Sequence, residues 1–574
     1  MLLLAAGKMA AYSFEVNGIY YNVSGTKATV TYKNTWYNSY SGEVIIPKTV
    51  TYDGKTYNVT TIGQQAFYDC DSLVSVSIPN SVTTIEKTAF QYSSLTSIFI
   101  PSSVTSIHEY AFWFCTGLSN ITVDSGNPIY DSRDNCNAII ETSSNKMVKG
   151  TPNTEIPTSV TALGNGAFDH YTQLTSITIP STITSIGNQA FIGCSGLTEF
   201  IIPNSVVTIG DRTFLDCTEL TTLVIGNSVT SIGSETVRNC KKLTNLTIGN
   251  SVKTIGKYAF DGCSALTSLE LPNSLKTIDS YAFLYCSGLT SINLPHSLTG
   301  ISNHAFYGCT QLTSVTIPSS VIGIGEYAFS DCTHLDSIVV ENGNQQYDSR
   351  DNCNAIIKTS SNAMIAACVN TVIPETTTVI DNGAFMGCYR LKSLTIPDSV
   401  TRIGKYAFRH CSSLTELKIG NSVKTIDDYA FVACKNLSTV TFSASLYSIG
   451  LNAFTYCTAL SKIICLRTTP PTATSAVVSS DTYDQATLYV PDESIEAYQA
   501  HSTWGRFTRI VPFIGAGPGD TNGDGNISIG DVTCLIDMLL ESDELPVWAD
   551  VNGDGHVSIG DVTALIDLLL ESKD

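Results

Sequence analysis

The chain is acidic and has the composition of a folded protein. It contains 574 residues, of which 43% are hydrophobic and 14% are charged, and its formal net charge is -20 at pH 7. A chain of this length and apolar content can bury a large core and is not disordered. The negative charge argues against nucleic acid as a partner. No run of 18 apolar residues occurs, so the sequence predicts no membrane span.

The N-terminal part divides into two predicted segments. Residues 1–11, MLLLAAGKMAA, combine a short apolar run with small residues, which is typical of the end of a secretory signal with Ala10-Ala11 at the cleavage edge. A disordered N-terminal tag is an equal alternative, because the run is short and lacks a basic leading region. Residues 12–55 contain two alternating stretches, EVNGIYYNV and ATVTYKNTWY, which predict a β cap over the first coil.

A unit of 23 residues recurs through most of the chain and is clearest at Leu266 to Phe283, LTSLELPNSLKTIDSYAF. Its Leu-x-x-Ile-x-Ile stretch alternates with Thr or Ser, as at Leu174, Ile177 and Ile179, which predicts a strand with one buried face. One such unit cannot bury its own apolar face, so the repeat predicts a stacked solenoid. The aromatic position of the unit occurs fifteen times, at Phe67, Phe90, Phe112, Phe168, Phe191, Phe214, Val237, Phe260, Phe283, Phe306, Phe329, Phe385, Phe408, Phe431 and Phe454.

These units resemble the leucine-rich repeat, and more closely the BspA-like class of bacterial surface proteins, whose units read IPxSVTxIGxxAFxxCxxLTxI. The resemblance covers roughly residues 60–465. It implies an α/β solenoid: a leucine-rich-repeat array of about fifteen 23-residue units with β caps. We place this array at residues 56–466, with insertions near 124–156 and 341–373.

The two insertions carry nearly the same sequence. They read YDSRDNCNAIIETSSN from Tyr130 and YDSRDNCNAIIKTSSN from Tyr347, 217 residues later, which indicates duplication of a block of several units. One interpretation is a ligand or ion site built from Asp131, Arg133 and Asp134 and from the corresponding Asp348, Arg350 and Asp351. We favour a turn rich in Asp and Asn between two strands, in which AII is buried and each arginine pairs with a nearby aspartate.

Cysteine occupies a fixed place in the repeat. Thirteen of the 18 cysteines, from Cys70 to Cys457, lie three residues after the aromatic position. Ser93 and Tyr171 replace the cysteine in two units without disturbing the pattern, which favours buried reduced thiols over disulfides. No CxxC pair or Cys/His cluster with zinc spacing is present.

The strand face opposite the core is predicted to be a wide concave surface. Its central positions are Ser77, Phe99, Thr122, Thr178, Ile201, Val224, Thr247, Glu270, Asn293, Thr316, Val339, Thr395, Lys418, Thr441 and Ile464. Only Glu270 and Lys418 are charged, so this face lacks the carboxylate pair that a glycosidase needs. HExxH and GxSxG motifs are also absent from the sequence. We therefore expect no enzyme but a broad contact with an unknown protein or glycan, or a plain structural surface.

The C-terminal part contains three further predicted segments. Residues 467–513 predict a closing cap, in which Tyr489, Tyr498, Trp504 and Phe507 cover the last coil. Residues 514–519 are a glycine-rich linker. Residues 520–574 form a separate module with two 12-residue loops, DTNGDGNISIGD from Asp520 and DVNGDGHVSIGD from Asp550.

Each loop has the spacing of an EF-hand calcium site, with oxygen donors at positions 1, 3, 5, 7, 9 and 12 and glycine at position 6. The module is therefore predicted to bind two calcium ions. The ligands are Asp520, Asn522, Asp524, Asn526, Ser528 and Asp531 in the first loop, and Asp550, Asn552, Asp554, His556, Ser558 and Asp561 in the second. Asn526 and His556 contribute carbonyl oxygens, and each serine holds a water. Val532, Leu535, Ile536, Leu539 and Leu540 predict an amphipathic helix after the first loop.

A loop followed by one helix, present twice and with Asp at position 12, resembles a type I-like dockerin. The resemblance implies a small all-α domain with two EF-hand-like loops that folds on calcium and binds a cohesin-bearing protein. It also implies the partner-binding positions, namely Ile529, Gly530, Ile536, Asp537 and Glu541, and Ile559, Gly560, Ile566, Asp567 and Glu571. The two sets are identical, so binding in two orientations related by a half turn is a reasonable hypothesis. Ile-Gly at positions 10 and 11 departs from the Ser-Thr of many dockerins and leaves the cohesin class open.

The sequence as a whole predicts a binding or adhesion protein, secreted by a bacterium or displayed on its surface. The array presents the binding surface, and the calcium-dependent dockerin attaches it to a cohesin. One alternative is a structural protein whose calcium module only stabilises the C-terminus or mediates self-association. A carbohydrate-active enzyme is a third, disfavoured interpretation, because the carboxylate pair is missing.

Overall fold

The computed structural model describes residues 12–34, 38–473, 476–513, 529–541, 549, 551–552 and 556–571. The chain divides into two compact units. The first runs to Ser360 and includes Ala366–Asn370, and the second comprises Ser361–Ile365 and Thr371 onward.

The first unit begins with antiparallel strands, which then give way to parallel ladders. Phe14–Val16, Ile19–Ser24 and Lys27–Thr31 pair in that order, and Lys27–Thr31 pairs in parallel with Lys55–Ile62. Thr49–Tyr52 pairs antiparallel with Lys55–Ile62. Lys55–Ile62 then pairs in parallel with Thr84–Ile85 of the next coil, so this antiparallel layer leads directly into the solenoid.

Each regular coil of the first unit contributes a longer strand and a second strand of mostly two residues. The longer strands are Gly42–Ile45, Leu73–Ser77, Ser97–Ile100, Asn120–Val123, Glu199–Ile201, Thr222–Val224, Asn245–Thr247, Ser268–Glu270, Ser291–Asn293, Ser314–Ile317 and Ser337–Val340. The short strands are Thr84–Ile85, Ser106–Ile107, Ala162–Leu163, Ser185–Ile186, Thr208–Ile209, Ser231–Ile232, Thr254–Ile255, Thr277–Ile278, Gly300–Ile301 and Gly323–Ile324. Strands of each kind pair in parallel with those of neighbouring coils, which gives a β-solenoid.

The two insertions contain their own strands. The first comprises Tyr130–Asp131, Ile139–Glu141 and Lys146–Lys149, and the second comprises Tyr347–Asp348, Ala355–Lys358 and Ala363–Ala367. A short 3-10 turn, Arg133–Asn135 or Arg350–Asn352, precedes the middle strand of each.

The second unit continues the same pattern and ends in helices. Its longer strands are Ser393–Thr395, Glu416–Lys418, Thr439–Phe442, Lys462–Cys465, Thr487–Val490 and Arg509–Pro512, and its short strands are Val379–Ile380, Arg402–Ile403, Thr425–Ile426, Ser448–Ile449 and Thr472–Ala473. Short 3-10 turns lie at Asp492–Ser494 and Trp504–Arg506. The helices are α1 (Ser480–Gln485), α2 (Ile495–Ala500), α3 (Ile529–Glu541) and α4 (Ile559–Glu571).

The segment that runs from the short strand of each coil to the longer strand of the next consists of turns. Among the described residues of the repeats, this segment contains no helix. The residues two before and two after the aromatic position adopt positive φ, as in Tyr281 (φ 63°) and Tyr285 (φ 53°). A helix cannot run through such left-handed residues. The predicted leucine-rich-repeat solenoid is confirmed, with the short strand and these turns in place of a helix.

The core is a column of stacked aromatic rings. Phe260, Phe283 and Phe306 are fully buried, with ring centroids 5.3 Å and 5.2 Å apart and interplanar angles of 10° and 2°. The same stacking links Phe408 to Phe431 in the second unit, at 4.9 Å. Val237 is also buried and interrupts the column in the first unit.

Two details of the strand predictions are wrong. Leu174 and Ile179 are buried as expected, but residues 174–179 form no ladder strand. Ile464 was expected on the exposed face and is only 6% exposed. It lies in register with Tyr489 of the neighbouring cap strand, and that aromatic side chain lies beside it.

Three of the four aromatic residues predicted to cover the last coil are buried, and Tyr489 is half-buried. Tyr498, Trp504 and Phe507 are buried. The Tyr498 hydroxyl donates to the carbonyl oxygen of Arg467 (2.9 Å), and the Trp504 indole N–H donates to that of Pro471 (2.8 Å). These bonds hold the cap segment together, and the parallel pairing of Lys462–Cys465 with Thr487–Val490 attaches it to the end of the repeat array.

Candidate functional site

The two C-terminal helices are near copies that pack through one apolar face. α3 reads IGDVTCLIDMLLE and α4 reads IGDVTALIDLLLE, and both begin at position 10 of their loop. Leu535 and Leu565 are fully buried, and Val532, Val562 and Val551 join them in a small core. The repeated sequence therefore produces two equivalent helices.

The position-12 carboxylates are buried at the first turn of each helix. Asp531 and Asp561 are both fully buried. Oδ1 of Asp561 accepts hydrogen bonds from the backbone N–H groups of Val551 (2.8 Å) and Asn552 (3.1 Å), and Oδ2 accepts from the backbone N–H of Ser558 (2.7 Å). Burial raises the pKa of Asp561, but these hydrogen bonds outweigh burial and leave the pKa below its ordinary value. Asp561 is therefore an ionised carboxylate that joins the start of its loop to the end.

The described part of the second loop contains Asn552, Ser558 and Asp561, three of the predicted calcium ligands. The ionised Asp561 lies beside Asn552 and Ser558, so carboxylate, amide and hydroxyl groups share one loop. Calcium prefers oxygen donors of these kinds. His556 is exposed in the same loop, where only its carbonyl oxygen was expected to contribute. Within the described ranges no cluster of three or more His, Cys, Asp and Glu side chains occurs.

Several predicted ligands lie outside the described residues. They are Asp520, Asn522, Asp524, Asn526 and Ser528 of the first loop, and Asp550 and Asp554 of the second. The calcium ligand set stays a prediction.

The predicted partner-binding positions lie on the exposed sides of the two helices. Ile529, Ile536 and Asp537 of α3 are exposed, as are the corresponding Ile559, Ile566 and Asp567 of α4. Gly530 is exposed and Gly560 is half-buried at the helix starts. Glu541 and Glu571 end the helices, but their side chains lie outside the described residues.

The helix pattern hid one further pair of exposed residues. Leu540 is 79% exposed and Leu570 is 65% exposed, each four residues after the exposed Ile536 or Ile566. The contact with α4 takes up the side of Val532 and Leu535, so Ile536, a predicted partner-binding residue, and Leu540 lie outside it. Their i, i+4 spacing places both on one exposed face.

The insertion motifs hold local ion pairs, as the favoured interpretation predicted. Two guanidinium nitrogens of Arg133 contact the two carboxylate oxygens of Asp131, at 2.8 Å and 2.6 Å, and Arg350 binds Asp348 in the same way at 2.8 Å and 2.7 Å. Ala138, Ile139 and Ile140 are fully buried. These arginines therefore brace a turn.

The outer face of the longer strands is mixed polar and apolar. Phe99, Ile201 and Val339 are exposed at its central positions, as are Glu270 and Lys418. Among the helices that the structure describes, none is long and apolar enough to cross a membrane.

Comparison with known families agrees with the repeat geometry. The family described as BspA type leucine-rich repeat region matches residues 29–136, 138–267, 253–362 and 356–470. The chain belongs to this family. Residues 518–570 match the dockerin type I domain. This BspA-type protein therefore joins a repeat array to a dockerin.

Solved structures of several bacterial repeat proteins are similar to this BspA-type chain. A leucine-rich repeat protein from Bacteroides ovatus is 24% identical over 86% of this chain and 98% of its own, with a TM-score of 0.37. A leucine-rich cell surface protein from Faecalibacterium prausnitzii is 22% identical over 90% and 97%, with a TM-score of 0.35. The pneumococcal vaccine antigen PcpA is 18% identical over 88% and 99%, with a TM-score of 0.33. None of the curated proteins matches the chain.

Proposed function

We propose that this protein is secreted by a bacterium or displayed on its surface, where the dockerin attaches it to a cohesin-bearing partner and the repeat array binds a protein or glycan. The proposed binding of a cohesin by the dockerin rests on the pair of equivalent exposed apolar faces on α3 and α4. Large apolar side chains that face solvent in this way mark interaction surfaces. The proposed binding of a protein or glycan by the repeat array is supported by the exposed Phe99, Ile201 and Val339 on the outer strand face.

Two calcium ions hold the module in its binding form. Asp520, Asn522, Asp524, Asn526, Ser528 and Asp531 would hold one ion, and Asp550, Asn552, Asp554, His556, Ser558 and Asp561 the other. Bound calcium supplies the positive charge that gathers clustered carboxylates. The Asp561 carboxylate also fixes the start of α4 against Val551 and Asn552, which sets the orientation of the docking face.

The docking surface has an apolar centre with an acidic edge. In α3 the centre is Ile536 and Leu540, and Ile529 and Asp537 border it. The predicted partner-binding residue Glu541 is the last residue of the helix. In α4 the equivalent residues are Ile559, Ile566, Asp567, Leu570 and Glu571. An apolar centre within a polar rim is the usual anatomy of a protein interface. Because the two faces are equivalent, we infer that the module binds a cohesin in either of two orientations, through Gly530 or Gly560 at the helix start.

The test uses the full chain and a panel of recombinant type I cohesin modules, with binding measured by biolayer interferometry. We expect one or more cohesins to bind in calcium and to dissociate on addition of EDTA. Ile536→Asp or Ile566→Asp alone should keep binding through the other face. The double variant should lose it at least tenfold.

The matched control is Ile201→Asp, which places the same charge on a similarly exposed isoleucine of the array. Cohesin binding should not change in this variant. If no cohesin binds while calcium still raises the helical circular dichroism signal, the docking proposal fails. Calcium-dependent dimerisation in its place would favour the structural alternative, in which the module mediates self-association.

A further inference from the structure

The ladder of longer strands begins at an edge strand in the N-terminal cap. This strand, Gly42–Ile45, pairs in parallel with Leu73–Ser77 on one side. The antiparallel strands of the cap continue the other ladder, because Lys27–Thr31 pairs with Lys55–Ile62, which in turn pairs with Thr84–Ile85. In the described part of the cap, no strand pairs with the outer side of Gly42–Ile45. The cap therefore covers the start of one ladder but not of the other.

The outer side of this strand carries backbone N–H and C=O groups. The N–H groups of Gly42 and Ile46 donate to carbonyl oxygens of the neighbouring coil, at 2.7 Å and 3.1 Å. Successive residues of a strand direct their hydrogen-bonding groups to opposite sides, so those of Glu43 and Ile45 face outward. Among the described residues, none forms a hydrogen bond with these outward groups. A row of such groups is a template for pairing with another extended chain.

A groove of about 450 Å³ adjoins this edge, which is within the range of ligand sites. It is lined by the edge strand and by residues 16–19, which form the turn between the first two strands of the cap. Ile45 is 72% exposed in this groove. Among the described residues that line the groove, Glu43 is the only charged one. The groove therefore combines outward backbone groups, an exposed apolar side chain and one negative charge.

The opposite end of the chain's strand ladder shows an edge that is closed to pairing. Arg509–Pro512 is the last strand of its sheet and pairs with the strand before it. The N–H of Phe513 donates to the carbonyl oxygen of Val490, so Pro512 faces outward, and proline has no N–H for a further strand. Proline is a common means of protecting an edge strand. Both outward positions of Gly42–Ile45 keep their N–H, so this edge lacks that protection.

The chemistry of the edge selects an extended polypeptide as its partner. Outward N–H and C=O groups that recur at the spacing of a strand are satisfied together by another extended backbone. Alternate side chains of an added strand would lie beside Glu43 and Ile45. Cross-strand pairing favours a basic residue beside the former and an apolar residue beside the latter.

We propose that the edge strand Gly42–Ile45 binds an extended peptide segment of a protein partner by strand addition, with a basic residue beside Glu43 and an apolar residue beside Ile45. The added segment continues the ladder of longer strands by one strand. The site lies in the N-terminal cap, so this inference goes beyond the functions proposed for the dockerin and for the outer strand face.

The test selects peptides from a phage-displayed library of random dodecapeptides on the full chain in calcium. Enriched peptides are synthesised, and their binding is measured by fluorescence polarisation. Ile45→Pro removes one outward N–H, whereas Ile45→Thr keeps it. Ile201→Thr is the matched control at an exposed isoleucine of the outer strand face. Melting temperatures verify that each variant is folded.

A second measurement tests the backbone pairing on the wild type alone. Two versions of the tightest-binding peptide carry N-methyl groups on alternate residues, in one register or the other. The version whose methyl groups block the N–H groups that face the edge should lose binding, and the other version should keep it. Amide hydrogen exchange at Glu43 and Ile45 should slow in the complex. These two results decide the question if Ile45→Pro does not fold.

We expect enriched peptides to carry a basic and an apolar residue two positions apart. Their affinity should be at least tenfold weaker for Ile45→Pro, several-fold weaker for Ile45→Thr and unchanged for Ile201→Thr. The proposal is overturned if no peptide is enriched, if folded Ile45→Pro binds every peptide as the wild type does, or if both methylated versions bind like the parent peptide. Unchanged hydrogen exchange at Glu43 and Ile45 in the complex would also overturn it.

A second copy of the chain is the competing occupant of this edge. Association of the full chain that Ile45→Pro abolishes, seen by sedimentation velocity without any peptide binding, would overturn the proposal in favour of that occupant. Cohesin binding by Ile45→Pro should equal that of the wild type, which keeps this test separate from the docking proposal.

Discussion

The thiol of Cys286 donates a hydrogen bond to the backbone carbonyl oxygen of Phe260, 3.1 Å away and one coil earlier. The same bond recurs between residues 26 apart, at Cys194, Cys217, Cys240, Cys263, Cys309, Cys332, Cys411, Cys434 and Cys457. The turn carbonyl at the aromatic position is buried and needs a donor. Cysteine is small enough for the site and provides one, so the repeat keeps it in this place.

Substitutions of Cys286 should distinguish the stability that its packing contributes from the stability that its hydrogen bond contributes. We expect Cys286→Ala to lower stability by about 1 kcal/mol, because the carbonyl of Phe260 loses its donor and a small cavity forms. Cys286→Ser keeps a donor and should lose less, as Ser93 is buried at the equivalent place. Denaturant midpoints of the three proteins measure the difference. An alanine variant as stable as the wild type would contradict this role for the thiol.

The array thiols should not react with alkylating reagents in the folded protein. Seventeen of the 18 cysteines are buried, and only Cys534 is half-buried. Burial raises the pKa of Cys194 and Cys309 to about 12, so both are protonated at neutral pH, and the thiol is much less reactive than the thiolate. We expect iodoacetamide to modify at most Cys534 in native protein and all eighteen in guanidinium, as read by mass spectrometry. Native labelling within the array, or array disulfides, would show that the prediction is wrong.

The aromatic column should give each coil much of its stability. Phe283 is stacked between Phe260 and Phe306, so Phe283→Ala should cost about 3–5 kcal/mol. Coils contact only their neighbours, and faster hydrogen exchange should therefore be confined to the adjacent coils. Phe283→Val imitates the natural Val237 and should cost less. Exchange that rises equally along the whole array would argue for a single cooperative unit instead.

The repeat could be predicted because burial imposes a period on the sequence. Aromatic and cysteine positions face the core in every coil, so they recur. The short strand Thr277–Ile278 could not be found by period, because two residues do not define an alternation. The positive φ of Tyr281 and Tyr285 is equally hidden, since neither is the glycine that usually marks such a conformation.

The residues of the candidate sites could also be predicted only in part from the sequence. Ligand spacing revealed the calcium loops, but a helix pattern cannot distinguish Leu540, which faces solvent, from Leu535, which faces α4, because both are apolar. The buried ion pair of Lys149 and Asp169 beside the first insertion, with Nζ and Oδ1 2.5 Å apart, was missed for another reason. Its members are twenty residues apart, and the equivalent positions in the second copy are apolar, so only the folded insertion brings them together.

Replacing one member of the pair of Lys149 and Asp169 should lower the stability of the fold far more than replacing both. We expect Lys149→Ala to destabilise the first unit by about 3–5 kcal/mol, because Asp169 is left buried without its charge partner. The double variant Lys149→Ala with Asp169→Met carries the residues of the second copy and should recover most of that loss. Unfolding midpoints at pH 7 give the comparison. If the single and double variants are equally unstable, the charge pairing is not the reason.

The same pair should stabilise the fold at neutral pH and lose this contribution in acid. Burial raises the pKa of Asp169, but the Lys149 ammonium and the hydrogen bonds from His170 and the Phe114 backbone outweigh burial, and the pKa is lowered. A carboxyl group with a folded-state pKa below its unfolded value of about 4 stabilises the fold above that value, and this contribution is lost as the pH falls below it. The melting temperature of the wild type should therefore fall more steeply than that of the double variant between about pH 5 and pH 3. Parallel curves for the two proteins would mean that Asp169 does not change its proton affinity on folding.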